Sequence, residues 1–136
     1  MATVEVVPFE EAHARDVARL ATTVQWPSLT DPAVVVRVCT APGAVSYVAL
    51  DQDAGLVGWA QALTDGVLQA HLSFLAVHPG HRRRGIGRLL TVATFQATGA
   101  KRVDLVSDGA AAGFYDALPH RRLEGYRLYP GDPGAG

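Results

Sequence analysis

Two spacings of apolar residues alternate along this chain, and they predict its elements in order. Thr3-Val4-Glu5-Val6-Val7 alternates around Glu5 as a strand that Pro8 ends. From Phe9 to Val24 the apolar positions Val17, Leu20, Ala21 and Val24 fall at helical spacing, with Glu10 and Glu11 in the first turn, where the helix dipole favours them. Trp26-Pro27-Ser28 interrupts that helix. Thr30-Asp31-Pro32 starts a second one, with Asp or Thr as the cap and Pro in the first turn, running to about Ala41 before Pro42-Gly43.

The period then changes to strands. Ala44–Leu50 and Leu56–Leu63 are joined by a turn at Asp51–Gly55, and a second turn at Asp65-Gly66 leads into a long strand, Val67–Val77. After His78-Pro79-Gly80, the stretch Gly85–Thr98 places Ile86, Leu89, Leu90, Ala93 and Ala97 on one helix face, with Gly99 as its stop. Arg102–Val106 is a short strand, Ala110–Leu118 a short helix, Leu123–Tyr129 a last strand, and Pro130–Gly136 a Pro/Gly-rich tail. Strands on short turns imply an antiparallel meander, and the strand–helix–strand piece over 67–106 implies a parallel pair. The expected fold is α+β: one domain over 1–129, with a mixed, mostly antiparallel sheet of about six strands and helices on both faces.

Composition narrows the class. With 136 residues the chain is of single-domain size, and 49% hydrophobic against 18% charged residues exclude intrinsic disorder. No apolar run is long enough to span a membrane and no basic-then-apolar leader opens the chain, so a soluble cytoplasmic protein is expected. Cys39 is the sole cysteine, which excludes an internal disulfide and a cysteine-type zinc cluster; no metal site is expected. The net charge of −1 argues against a general nucleic-acid binder. It also conceals a cluster: between Asp65 and Asp104 no acidic residue occurs, while Arg82, Arg83, Arg84, Arg88, Lys101 and Arg102 do. Eleven Arg against one Lys, no Asn and one Ile match the bias of a GC-rich genome, so the clustering is the informative feature, not the choice of Arg.

That cluster sits where chemistry is expected. In Val77-His78-Pro79-Gly80-His81-Arg82-Arg83-Arg84-Gly85-Ile86-Gly87-Arg88 a strand ends, a basic glycine-punctuated loop follows, and a helix begins. The first turn of a helix presents unpaired N–H groups and the positive end of the dipole. Glycines at 85 and 87 let backbone approach a phosphate, and arginines add charge-assisted contacts. A solvated basic loop is the competing reading. A P-loop is excluded because Gly87 is followed by Arg88-Leu89, and a dinucleotide fingerprint because position 90 is Leu.

Arg82-Arg83-Arg84-Gly85-Ile86-Gly87, after Val77-His78-Pro79, resembles the acetyl-CoA pyrophosphate loop of the GCN5-related N-acetyltransferase (GNAT) superfamily, Gln/Arg-x-x-Gly-x-Gly/Ala. Asp108-x-x-Ala111-x-x-Phe114-Tyr115 resembles the superfamily's Asn-x-x-Ala-x-x-Phe-Tyr, in the right order along the chain. The resemblance implies a V-shaped splay between the strand ending at Val77 and the one starting near Arg102, with acetyl-CoA in the cleft. It assigns the backbone of Leu75 and Val77 to pantetheine, places Ala76 between them among the cofactor-binding residues, and gives a free N–H near Leu75 to the acetyl carbonyl. It assigns N–H groups from Arg83 to Arg88, through Arg84, Gly85, Ile86 and Gly87, to pyrophosphate, with Arg82 heading the loop and Asp108 and Phe114 lining the cofactor. Tyr115 matches the tyrosine that protonates the departing thiolate; its competing reading is a packed aromatic beside Phe114 and Leu118.

The chain departs from the pattern in two places: Asp108 stands for Asn, and Pro119-His120 for Gly-Phe, with Gly125-Tyr126 six residues late. An acceptor amine is mostly protonated at neutral pH. The strand before the loop carries no Glu, so His71 is the candidate base, directly or through water held with Ser73; a hydrogen-bonded strand histidine is the alternative. The expected activity is acetyl transfer from acetyl-CoA to a small primary amine within a ternary complex, by a monomer or homodimer that binds neither nucleic acid nor membrane. A non-catalytic acyl-CoA-binding module is the alternative.

Overall fold

The computed structural model describes residues 3–107 and 111–131. They fall into two compact units, Met1–Asp104 and Leu105–Gly136.

The first unit is built on a five-stranded sheet, ordered β1 (Val4–Pro8), β2 (Ala44–Asp51), β3 (Gly55–Thr64), β4 (Gln69–Val77), β5 (Arg102–Asp104). The first four strands are antiparallel neighbours, and β4 and β5 pair in parallel. β4 starts two residues later than the pattern suggests because the Asp65 carboxylate accepts the N–H groups of Val67, Leu68 and Gln69, fixing them in a turn. Helices α1 (Ala14–Thr23) and α2 (Pro32–Cys39) cover one face. The 3-10 turn Glu11–His13 replaces the first turn expected of α1, with the Glu10 N–H donating to His13 Nδ1. At α2 the expected cap is present: Asp31 accepts the Ala33 N–H at 2.9 Å, with Pro32 in the first position.

The core on this side joins Val17, Leu20 and Ala21 of α1 and Val35 and Cys39 of α2 to Val48, Trp59 and Ala76 of the sheet. The Trp59 indole N–H donates to Ser46 Oγ at 2.8 Å, so its one polar atom is satisfied at 1% exposure. Burial raises the Cys39 thiol above its ordinary pKa, against the hydrogen bonds with Ser46 and Trp59, which lower it.

Helix α3 (Ile86–Thr98) packs on the opposite face. Its buried Ile86 and Leu90 rest on Gly58, where a Cβ would lie 2.8 Å from Leu90 Cδ1 and 3.2 Å from both Ile86 Cγ2 and Ala49 Cβ. The missing side chain lets the helix sit directly on β3. That contact sets the height at which α3 begins, beside the end of β4.

The second unit contains α4 (Ala112–Asp116), shorter than the pattern predicts and with no buried residue. Arg122 grips Asp116 with Nη2 at 2.9 and 3.0 Å, closing the segment after the helix. The strand expected at Leu123–Tyr129 is corrected: among the described residues none forms there, and the sheet has five strands instead of about six. Leu123, Tyr126 and Leu128 are 66%, 80% and 78% exposed, so ordering this stretch would bury no apolar face to offset its entropy. No described helix is long and apolar enough to cross a membrane.

Candidate active site

The site begins at an irregularity in β4. Gln61 pairs with Phe74 but Ala62 with Leu72, leaving Ser73 as an extra residue, a bulge that bends the strand. On the other side β5 follows β4 only through Gln69, Ala70 and His71, whose partner Asp104 is the last residue of β5. Beyond that point β4 runs on to Val77 without a sheet partner on this side among the described residues.

The register shows which groups this edge offers. The His78 N–H donates to the Val57 carbonyl at 2.8 Å, so His78, Ala76 and Phe74 turn their backbone groups toward β3. Leu75 and Val77 therefore turn theirs to the unpaired edge. Leu75 and Val77, the pair the resemblance gives to pantetheine, can take an extended ligand as an added strand. Ala76 cannot, since its backbone faces β3 and its side chain is core. Arg82 Nε reaches the Val77 carbonyl at 3.3 Å, which leaves the Val77 N–H and both Leu75 groups for a ligand.

Above this edge the basic loop forms an anion cradle. Arg83 and Gly85 take positive φ, 64° and 78°, and Gly85 caps α3 directly. The Leu89 N–H closes the first turn on the Gly85 carbonyl at 3.0 Å, leaving the N–H groups of Ile86, Gly87 and Arg88 without helical acceptors. Left-handed residues next to a helix start make backbone N–H groups converge on an anion. A Cβ on Gly85 would meet nothing within 4 Å, so the space in front of the cradle is open. The arginines divide. Arg82, Arg83 and Arg88 are exposed. Arg84 is exposed too, but its Nη1 lies 2.9 Å from Asp51 Oδ2 and 2.8 Å from His81 Nδ1. Ile86 is 2% exposed, so only its backbone can serve a ligand.

His71 is exposed. Through its pairing with Leu63 it shares the sheet face of Gln61 and Trp59. It is four residues from Leu75, roughly 13 Å at the usual strand rise, with the Ser73 bulge between them. On the same face Phe74 stacks on Trp59, with ring centroids 5.3 Å apart, and Trp26, from the connection between α1 and α2, packs on Phe74 at 5.6 Å. A cleft of about 520 Å³ between Glu11–Asp16 and Pro32–Val36 contains none of the expected site residues. In the second unit, Tyr115 is half-buried on α4 and meets Phe114 edge to face at 5.0 Å; Phe114 is 36% exposed. Asp108 lies outside the described residues. Asp51, which engages the loop, was not predicted. Its sequence neighbourhood reads only as a turn, and nothing local to it points to position 84.

Comparison with known proteins agrees with this geometry. Over 88 residues the chain is 40% identical to mycothiol acetyltransferase of Kineococcus radiotolerans, a match that takes in 63% of this chain and spans 29% of that protein's length. An acetyltransferase of Trypanosoma brucei superimposes with a TM-score of 0.76 at 23% identity, covering 93% of this chain and 99% of that one. An aminoglycoside N-acetyltransferase solved with CoA gives 0.73 at 17% identity, covering 95% of each chain. At such identities the two structures establish a shared fold. The sequence pattern described as the acetyltransferase (GNAT) domain matches residues 42–118, more than half of the chain and all of the sheet from β2 to the cradle and on through α4. With that match on the sequence and this sheet in the structure, the chain belongs to the GNAT acetyltransferase family.

Proposed function

We propose that this chain is an N-acetyltransferase that moves the acetyl group of acetyl-CoA directly to the primary amine of a small molecule, in the cytoplasm. The observation that carries the reading is the meeting of two features at the end of β4: a strand edge without a partner among the described residues and, directly after it, a backbone anion cradle. One linear ligand with an amide-bearing arm and a pyrophosphate fits both. Acetyl-CoA is such a ligand, and it supplies a thioester carbonyl open to an amine.

The chain's own groups then take separate tasks. Leu75 and Val77 hold the pantetheine arm, and the N–H groups of the loop from Arg83 to Arg88 hold the phosphates. An outward N–H at Leu75 polarises the acetyl carbonyl, a contact whose worth grows as charge develops on that oxygen. Amine attack requires the neutral amine, so a proton must leave. His71, some four residues down β4, takes it through water passing Ser73, since it is too distant for direct contact. Tyr115 donates to the departing sulfur. Trp26 and Phe74 give the acceptor side an aromatic wall, suited to the apolar part of a small amine or to its cationic form.

The test is turnover of a panel of amines with detection of free CoA thiol. Thiol release dependent on a small amine supports the reading. CoA binding with no release from any amine would show the non-catalytic module instead. Release only with protein substrates would overturn the small-molecule assignment.

A further inference from the structure

We infer that Asp51 is a positioning residue for the phosphate cradle: from the end of β2 it holds Arg84, and through Arg84 the loop whose N–H groups face the cofactor. The inference rests on the acetyl-CoA reading above and adds to it a residue outside the loop.

Asp51 ends β2, and its side chain is 2% exposed. Oδ1 accepts the N–H groups of Asp53 and Ala54 at 2.8 and 3.0 Å, so the carboxylate is fixed by its own turn before it meets the loop. Oδ2 then accepts from Arg84 Nη1 at 2.9 Å, thirty-three residues away in sequence. The same nitrogen lies 2.8 Å from His81 Nδ1, which ties the 3-10 turn before the loop to the same point.

The consequence falls on the residue next door. Arg83 has φ 64°, a left-handed conformation that side-chain-bearing residues adopt at a cost. Such a conformation persists where its surroundings over-determine it. Here Arg82 is held on one side by the Val77 carbonyl and Arg84 on the other by Asp51. The strained peptide is clamped between two anchors, and Gly85, also left-handed, follows directly into α3. Asp51 also offsets the charge of Arg84, and the pair fixes where the loop stands over α3. Three consecutive arginines thus have different roles, which their sequence does not distinguish.

Asp51→Asn tests this, because Asn Oδ1 can still accept the two turn N–H groups while the charge facing Arg84 is gone. Arg84→Gln approaches the pair from its more exposed side, and serves if the first variant fails to fold. By calorimetry, each is expected to weaken CoA binding at least fivefold, and the double variant no more than either single one. Arg84→Lys, which keeps a cation opposite Asp51, is expected to stay within about twofold of the wild type. In competition with CoA, inorganic pyrophosphate should lose the same factor and pantetheine none. Unchanged CoA affinity in Asp51→Asn and Arg84→Gln would overturn the inference. So would equal losses for pyrophosphate and pantetheine, which would mark the pair as a general stabiliser. A wild-type protein that binds no CoA would bring down the reading beneath it, and this one with it.

Discussion

Gly58→Ala adds a single methyl group where the structure leaves none to spare. The added Cβ would stand 2.8 Å from Leu90 Cδ1 and 3.2 Å from Ile86 Cγ2 and Ala49 Cβ, and Leu90 and Ile86 are 0% and 2% exposed. None of these atoms has solvent to move into, so α3 must lift or Leu90 must leave its rotamer. Overpacking of this kind costs about 1–3 kcal/mol. Gly58 is not in the left-handed region, so alanine fits the backbone and recovers about 0.4–1 kcal/mol of unfolded-chain entropy. The net loss is about 0.6–2 kcal/mol, the low end of the second range taken from the low end of the first and the high end from the high. For 136 residues the usual unfolding entropy converts that to a fall in Tm of about 2–7 °C.

Thermal unfolding measures the loss, and the double variant Gly58→Ala/Leu90→Ala identifies its cause. Leu90→Ala alone opens a cavity and costs about 2–5 kcal/mol. If the clash is with Leu90, the two changes together cost less than their sum by at least about 0.5 kcal/mol. Because α3 carries the cradle, the single variant is also expected to bind CoA several-fold more weakly. A Tm equal to or above the wild type, or strict additivity in the double variant, would refute the reasoning. Either would show that the helix has slack over β3.

Gly87→Glu places a carboxylate among the first-turn N–H groups of α3 and is expected to weaken acetyl-CoA binding at least tenfold with the fold intact; unchanged affinity by calorimetry would remove the phosphate role of this turn. Tyr115→Phe keeps the ring and removes the phenolic donor, so kcat should fall at least about tenfold, at the low end for general acid catalysis because water can substitute, while CoA affinity and Tm hardly move. Full turnover would make Tyr115 a packing residue, and an unfolded variant would make its hydroxyl structural. Hydrogen bonds from the Asp53 and Ala54 N–H groups, and then Arg84, hold the Asp51 carboxyl at about 2, below its ordinary 3.8. Its contribution to stability is therefore complete above about pH 4 and lost as the pH falls toward 2. Acid titration followed by circular dichroism should show a shallower decline for Asp51→Asn across that window than for the wild type.

The sequence by itself determined whatever depends on neighbours in the chain. Asp31-Pro32 started α2, Asp65 shaped the turn before β4, and helical spacing gave α3, because caps, turns and helix periods act over a few residues. Of the face expected of α3, Ile86 and Leu90 are buried, while Leu89 and Ala97 are exposed and Thr91, Thr94 and Thr98 are buried in their stead. The strand end, the glycine-bearing loop and the helix start that follow one another at the candidate cradle were legible for the same reason: they are contiguous. At Leu123–Tyr129 the apolar residues suggested a strand, yet a strand exists only with a partner and a face to bury, and both are tertiary. Other features were also decided only by the fold. Among the described residues the short β5 leaves the end of β4 without a partner on one side, and the hydrogen-bond register turns the backbone of Leu75 and Val77 to that edge. Asp51 meets Arg84, and Gly58 meets Leu90, across thirty or more residues. Such contacts are set by strand register and helix height, which no local pattern encodes, and they are what turns a basic loop into a shaped site.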